Sequence, residues 1–184
     1  MNQKELRQEF GRKAEAVSAV VTPVADLAQA FAQAARLTAQ QGGQCLAAPG
    51  WEADELAALQ AACELEGLEL ITQGLRARTG EFHTGLTRAQ WGVAETGTIV
   101  MESSSEELRL ASMLSEVHVA VLPAAKLRAD LFALEDELNR TLAGAPGYLA
   151  FISGPSRTGD IELVLTLGAH GPRQLHIMLL EEGS

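Results

Sequence analysis

The chain has 184 residues, enough for one domain with a sizeable core, and 47% of them are apolar, which argues against disorder. A formal net charge of −10 with no basic cluster argues against nucleic acid as a main partner, because a phosphate backbone needs grouped lysine and arginine. The charged start MNQKELRQEF lacks the apolar core of a secretory signal, and no apolar run approaches bilayer length, so a cytoplasmic protein without a membrane span is expected.

Residues 2–20 have helix-forming composition, with Leu6, Phe10 and Val17 spaced for one apolar face and Gly11 weakening the middle. Residues 1–22 are read as a helical extension, loosely attached as chain ends often are, and 23–184 as a single domain. Residues 24–41 carry a strong helical stripe that Gly42 and Gly43 stop. Cys45–Ala48 predicts a short strand, 53–66 another helix ending at Gly67, and Leu68–Thr72 a strand. Gly74–Leu86 is polar and reads as a loop. Trp91–Ala94 and Thr98–Met101 predict two strands joined by a turn at Glu95-Thr96-Gly97. Ser104 and Glu107 have capping-box spacing ahead of a helix at 106–114. Val117–Leu122 predicts a strand. The stripe Leu127, Leu131, Leu134 and Leu138 predicts one long helix over 124–142, stopped by Gly144-Ala145-Pro146-Gly147. Apolar runs at 148–152 and 175–180 predict two more strands. This alternation predicts an α/β domain with an open, mostly parallel sheet covered by helices on both faces.

Joining those last two strands is a glycine-punctuated stretch with a polar turn, ISGPSRTGDIELVLTLGAHGP. Gly154, Pro155, Ser156, Arg157 and Thr158 break the first strand and are expected to open a short helical turn. Free N–H groups, a helix start and a guanidinium at one spot suit a carboxylate or phosphate. The competing reading is that Ser156 and Thr158 only cap the turn. His170, fixed in a tight turn by Gly171 and Pro172, suits an acid–base group or anion contact, unless it simply faces water. Glu95, at a strand end beside Thr96 and Gly97, suits a base, a nucleophile or a ligand for a hydroxyl, or is a solvated hairpin residue. Glu95, Arg157 and His170 are expected to converge on one site for a small anionic metabolite. His118 and His176 sit inside strand-like runs and read as ordinary half-buried residues. Asp160 and Glu162 are too close in sequence to share one face of a helix. No metal site is expected, because none of the four histidines has ligand spacing. Two cysteines, Cys45 and Cys63, fall short of the roughly four ligands of an iron–sulfur cluster.

Two stretches together resemble the LUD-domain family, lactate-utilization protein C type. GVAETGTIVMESSSEELRLASMLSEVHVAVLP is similar to its A-E-T-G-T segment. ISGPSRTGDIELVLTLGAHGPRQLHIMLL is similar to its closing G-P-S-R-T-x-D-I-E and G-x-H-G-P signature, with Gly159 where alanine is more usual. The resemblance implies a three-layer α/β/α fold like that of ribose-5-phosphate isomerase, glucosamine-6-phosphate deaminase and the CoA transferases. It implies a cluster-free component that acts with two iron–sulfur partner proteins in oxidising L-lactate to pyruvate, with no cofactor in this chain. The alternative is an autonomous enzyme or regulatory module for a phosphorylated or CoA-linked metabolite. No catalytic residue set carries over from the family.

Overall fold

A computed structural model describes residues 2–143, 147–159, 165–167 and 171–181. In chain order the first elements are α1 (Gln3–Ala16), β1 (Val20–Val24), α2 (Leu27–Gln40), β2 (Cys45–Ala47), α3 (Ala53–Leu65), β3 (Glu69–Ile71) and β4 (Thr84–Arg88). There follow β5 (Trp91–Val93), β6 (Thr98–Glu102), α4 (Glu106–Leu114), β7 (Val117–Pro123) and β8 (Leu127–Arg128). The chain closes with α5 (Glu135–Leu142), β9 (Leu149–Ile152), β10 (Arg157–Gly159), β11 (Leu165–Leu167) and β12 (Gln174–Leu180).

The central sheet runs β1-β12-β7-β4-β2-β3, and every neighbouring pair is parallel. β7 shows why it lies inside. Val117, Val119 and Val121 pack on one face among α2 and α3, while Ala120 and Leu122 pack on the other, so both faces are apolar. α2 opens where the Asp26 carboxylate accepts the Gln29 N–H at 2.7 Å, and it buries Ala30, Phe31, Ala34 and Ala35. Phe31 meets Trp51 edge to face, with ring centres 5.1 Å apart. The opposite face is covered by α1, α4 and a second sheet ordered β8-β5-β6-β9. The β5–β6 pair is antiparallel, joined by the turn expected at Glu95-Thr96-Gly97.

The structure departs from the sequence reading in four places. α1 is an integral part of the fold. Asn2 and Glu5 cap its start reciprocally at 2.9 Å, and Leu6, Phe10 and Ala14 are buried against β12, β7 and β6. The boundary read at residue 22 falls inside β1, which pairs with β12 from Val20 to Val24.

The stretch read as a loop over 74–86 instead contains a short 3-10 turn, Leu75–Arg78, and the start of β4, a buried inner strand. Its polarity is satisfied internally. Thr84 meets Thr38 at 2.8 Å and Thr87 meets His118 at 2.8 Å. Gly85 has no side chain because the Ala111 carbonyl oxygen of α4 lies 1.8 Å from where a Cβ would stand.

The long helix read over 124–142 is broken. Leu127 joins β8 beside Gly92, and Ala94 and Glu95 continue that ladder by donating to the carbonyls of Arg128 and Ala129. The Asp130 carboxylate then accepts the Ala133 N–H at 2.8 Å, and after a 3-10 turn at Phe132–Leu134 the α-helix runs only from Glu135. Strand pairing outweighed helical spacing here. Finally, residues 157–159 form no helix start: they are β10, antiparallel to β11.

Candidate functional site

A cavity of about 750 Å³ opens between α4, the edge strand β9 and the first residues of β7 and β12. Its floor is the register pair His118–Leu175. One wall is Tyr148 to Ser156, and the facing wall is Ser103, Ser104, Arg109, Ser112 and Met113. Parallel sheets usually gather ligands at the carboxyl ends of their strands. This cavity instead lies at the amino ends of β7 and β12, on the face that carries the second sheet.

Serine-rich residues 103–105 join the walls. Ser103 N–H donates to the Tyr148 carbonyl at 2.8 Å, and the Ser104 hydroxyl accepts the Tyr148 N–H at 2.9 Å. The capping box read for Ser104 and Glu107 therefore does not form. Ser105 stands at the helix start, and the Glu107 carboxylate accepts the Leu75 N–H at 3.0 Å. Arg109 reaches back over the first turn of α4 and donates to the Ser103 and Ser104 carbonyls at 2.5 and 2.8 Å. Arg109 thus fixes the cavity rim from α4, while Ser112 donates to the Arg109 carbonyl at 3.1 Å.

His118 is the buried polar group of the floor, 1% exposed, with its Nε2 at 2.8 Å from the Thr87 hydroxyl. Burial pushes its pKa down to about 4, so the ring is neutral near pH 7. Burial also lowers the pKa of His176, on the opposite face of β12. Met113, Leu149, Phe151 and Pro155 add apolar surface to walls that also carry Ser153 and Ser156. An apolar pocket with a few convergent hydroxyls, one cation and one neutral imidazole suits an organic ligand with a polar head.

Of the residues singled out in the sequence, Gly154 and Ser156 lie in the cavity wall. Gly154 has φ +78°, and a Cβ there would stand 2.1 Å from the Val17 carbonyl oxygen. Gly97, with φ +65°, is pressed against the end of the same helix, 2.2 Å from the Ala14 nitrogen by the same measure. Both family motifs therefore close on the C-terminal end of α1. A hydroxyl chain links them, Thr96 to Thr98 to Ser153, at 2.7 Å per step. Glu95 and Thr96 are exposed on that hairpin turn, and neither they nor Gly97 are among the cavity residues. Arg157 is exposed at the start of β10, opposite Leu167, and is not in the wall either; Thr158 pairs with Thr166. His170, Asp160 and Glu162 lie outside the described residues.

The sequence reading took His118 for an ordinary half-buried residue and Ser104 for a helix cap, and it passed over Ser103 and Arg109. His118 carried a usable signal, as the single polar residue in the strand VHVAVL. The serines and Arg109 carried none, because a serine before a helix is explained by capping alone. Among the described residues no group of three or more His, Cys, Asp or Glu side chains could hold a metal ion, and no helix is long and apolar enough to cross a membrane.

A parallel α/β domain with a second sheet on one face and a ligand-sized cavity between them defines a layered α/β class of binding or catalytic domains. Within it, the chain belongs to the LUD domain family, whose model matches residues 7–180. Lactate utilization protein C from Halalkalibacterium halodurans is 34% identical over 101 residues, 53% of this chain and 44% of that protein. Lactate utilization protein C from Bacillus subtilis is 29% identical over 103 residues, 54% of this chain and 43% of that protein. YkgG of Escherichia coli is 32% identical over 120 residues, 64% of this chain and 50% of that protein. The matches thus span about half the length of these curated relatives. A DUF162 family protein from Deinococcus radiodurans has the same fold, with a TM-score of 0.63 at 16% identity, covering 98% of this chain and 99% of that one.

Proposed function

We propose that this chain serves in lactate utilization as a component of the protein C type, acting with two iron–sulfur partner proteins in the oxidation of L-lactate to pyruvate. The observation that carries the reading is the similarity to relatives named lactate utilization protein C. The cysteine chemistry supports a division of labour. Burial raises the Cys63 thiol to about 11 and also raises Cys45, so neither is poised as a thiolate ligand. Two such thiols supply too few ligands for a cluster. The electron carriers then belong to the partners, and this chain contributes a ligand cavity and a docking domain.

Deleting the gene in its own host and growing the strain on L-lactate as sole carbon source tests this reading. Growth is expected to fail and to return when the full chain is supplied. The tagged chain is expected to retain two cysteine-rich iron–sulfur proteins through purification. Undiminished growth of the deletion strain on lactate overturns the reading.

A further inference from the structure

One buried ring on the cavity floor, that of His118, makes a single side-chain hydrogen bond among the described residues. Among the described residues only the Nε2 of His118 has a partner, the Thr87 hydroxyl. Thr87 is fully buried, and its hydroxyl has no other partner among those residues. A buried hydroxyl proton needs an acceptor, and the bare imidazole nitrogen is the one at hand. Thr87 therefore donates to Nε2, and the ring proton sits on Nδ1. The cavity floor then carries an uncharged N–H donor that has no acceptor oxygen among the described residues.

Arg109 supplies the second half of a head-group site. Its Nη1 is taken up by two carbonyls of the preceding turn. Among the described residues no carboxylate lies within ion-pair distance of it. Glu106, one turn earlier, feels its charge but is paired with Arg76. The remaining guanidinium N–H groups are suited to a carboxylate. Met113, Leu149, Phe151 and Leu175 give the lining an apolar part between its serines, and about 750 Å³ is far more than a three-carbon acid fills.

We propose that this cavity binds an amphipathic monocarboxylate longer than lactate, its head drawn to Arg109 and the His118 N–H and its hydrocarbon body lying against Met113, Leu149, Phe151 and Leu175. The proposal rests on reading the cavity as the ligand site of this chain. Each methylene buried adds roughly a factor of four in affinity.

Calorimetric titration of the full chain near neutral pH, with L-lactate, octanoate, 2-hydroxyoctanoate and 1-octanol as probes, decides it. The two eight-carbon acids are expected to bind one to one, at least a hundredfold tighter than L-lactate and tenfold tighter than 1-octanol. Arg109→Gln is expected to weaken octanoate about tenfold while leaving 1-octanol unchanged. His118→Phe is expected to act in the same direction, and if that variant fails to fold, the Arg109 comparison still decides. L-lactate binding as tightly as octanoate overturns the proposal in favour of a short-acid site. Equal affinity for octanol and octanoate, or no measurable binding of either acid, overturns it outright. The growth experiment reads a separate question. Failed growth of the deletion strain with no acid binding leaves the lactate role standing and removes this site. Acid binding with normal growth does the reverse.

Discussion

His118 ties the chemistry of the cavity to the stability of the fold. Its folded pKa of about 4 lies below the ordinary value of 6.5, so the unfolded chain binds the proton more tightly. The stability this neutral ring contributes is complete above pH 6.5 and is lost as pH falls toward 4. At pH 5 the loss is about 2 kcal/mol. His176, also lowered by burial, adds in the same direction. Urea unfolding at pH 7.5 and pH 5 is expected to show this decline, and His118→Gln to flatten it. Glu9, Glu69, Glu106 and Glu137 are all lowered by arginine partners, so their contribution fades only nearer the carboxylate range and leaves the histidine window separate. Gly97 gives a second test. A methyl group there meets the α1 backbone and a left-handed φ together, so Gly97→Ala is expected to destabilise by more than about 2 kcal/mol. Gly67→Ala has a similar φ of +71° but open space, and should cost only about 1 kcal/mol. Equal effects in thermal unfolding would show that the contact with α1 is unimportant.

α1 behaves as a keystone because two separate motif turns rest on its last turn while its buried stripe fills the space between the sheets. Phe10 is 0% exposed, and Phe10→Ala is expected to cost about 3–5 kcal/mol in denaturant titration. A loosely attached helix would show almost no change. The edge strand β9 holds the other side of this arrangement. It pairs with β6 from Ile99–Ile152 to Glu102–Leu149 and leaves its second edge along the cavity. α4 is anchored to it through Ser104 and Tyr148, so the cavity walls are fixed to two different sheets.

The two main cores lie on opposite faces of the same strands. β7 sends Val119 to one and Ala120 to the other, and β12 sends Met178 to one and Ile177 to the other. Neither core survives if the parallel sheet separates. A single cooperative unfolding transition is therefore expected, with far-ultraviolet and near-ultraviolet circular dichroism reporting the same midpoint. Two resolved transitions would mean that the second sheet, with α1, unfolds independently. The parallel sheet also accounts for the placement of the cavity. Within the second sheet, β5 packs over the carboxyl end of β7 at Leu122, and the gap lies at the amino ends of β7 and β12, between β9 and α4.

The elements legible in the sequence were those whose periodicity records their own burial. α2 shows a helical stripe, α3 an alanine- and leucine-rich run stopped by Gly67, β7 and β12 apolar runs each interrupted by one histidine, and the Glu95 hairpin a turn between two strand-like runs. The family was legible because its two motifs are long and ordered. Gly154 and Ser156, read from one of those motifs as anion-binding residues, lie in the cavity wall. What remained illegible depended on partners distant in the chain. β4 looks polar until Thr84 is placed beside Thr38, 46 residues away, and Thr87 beside His118, 31 residues away. Leu127 fits a helical stripe until Gly92 offers it a strand to join. A hydrogen bond or a void formed between remote segments leaves no local period, so the cavity and its neutral imidazole were decided by tertiary packing alone.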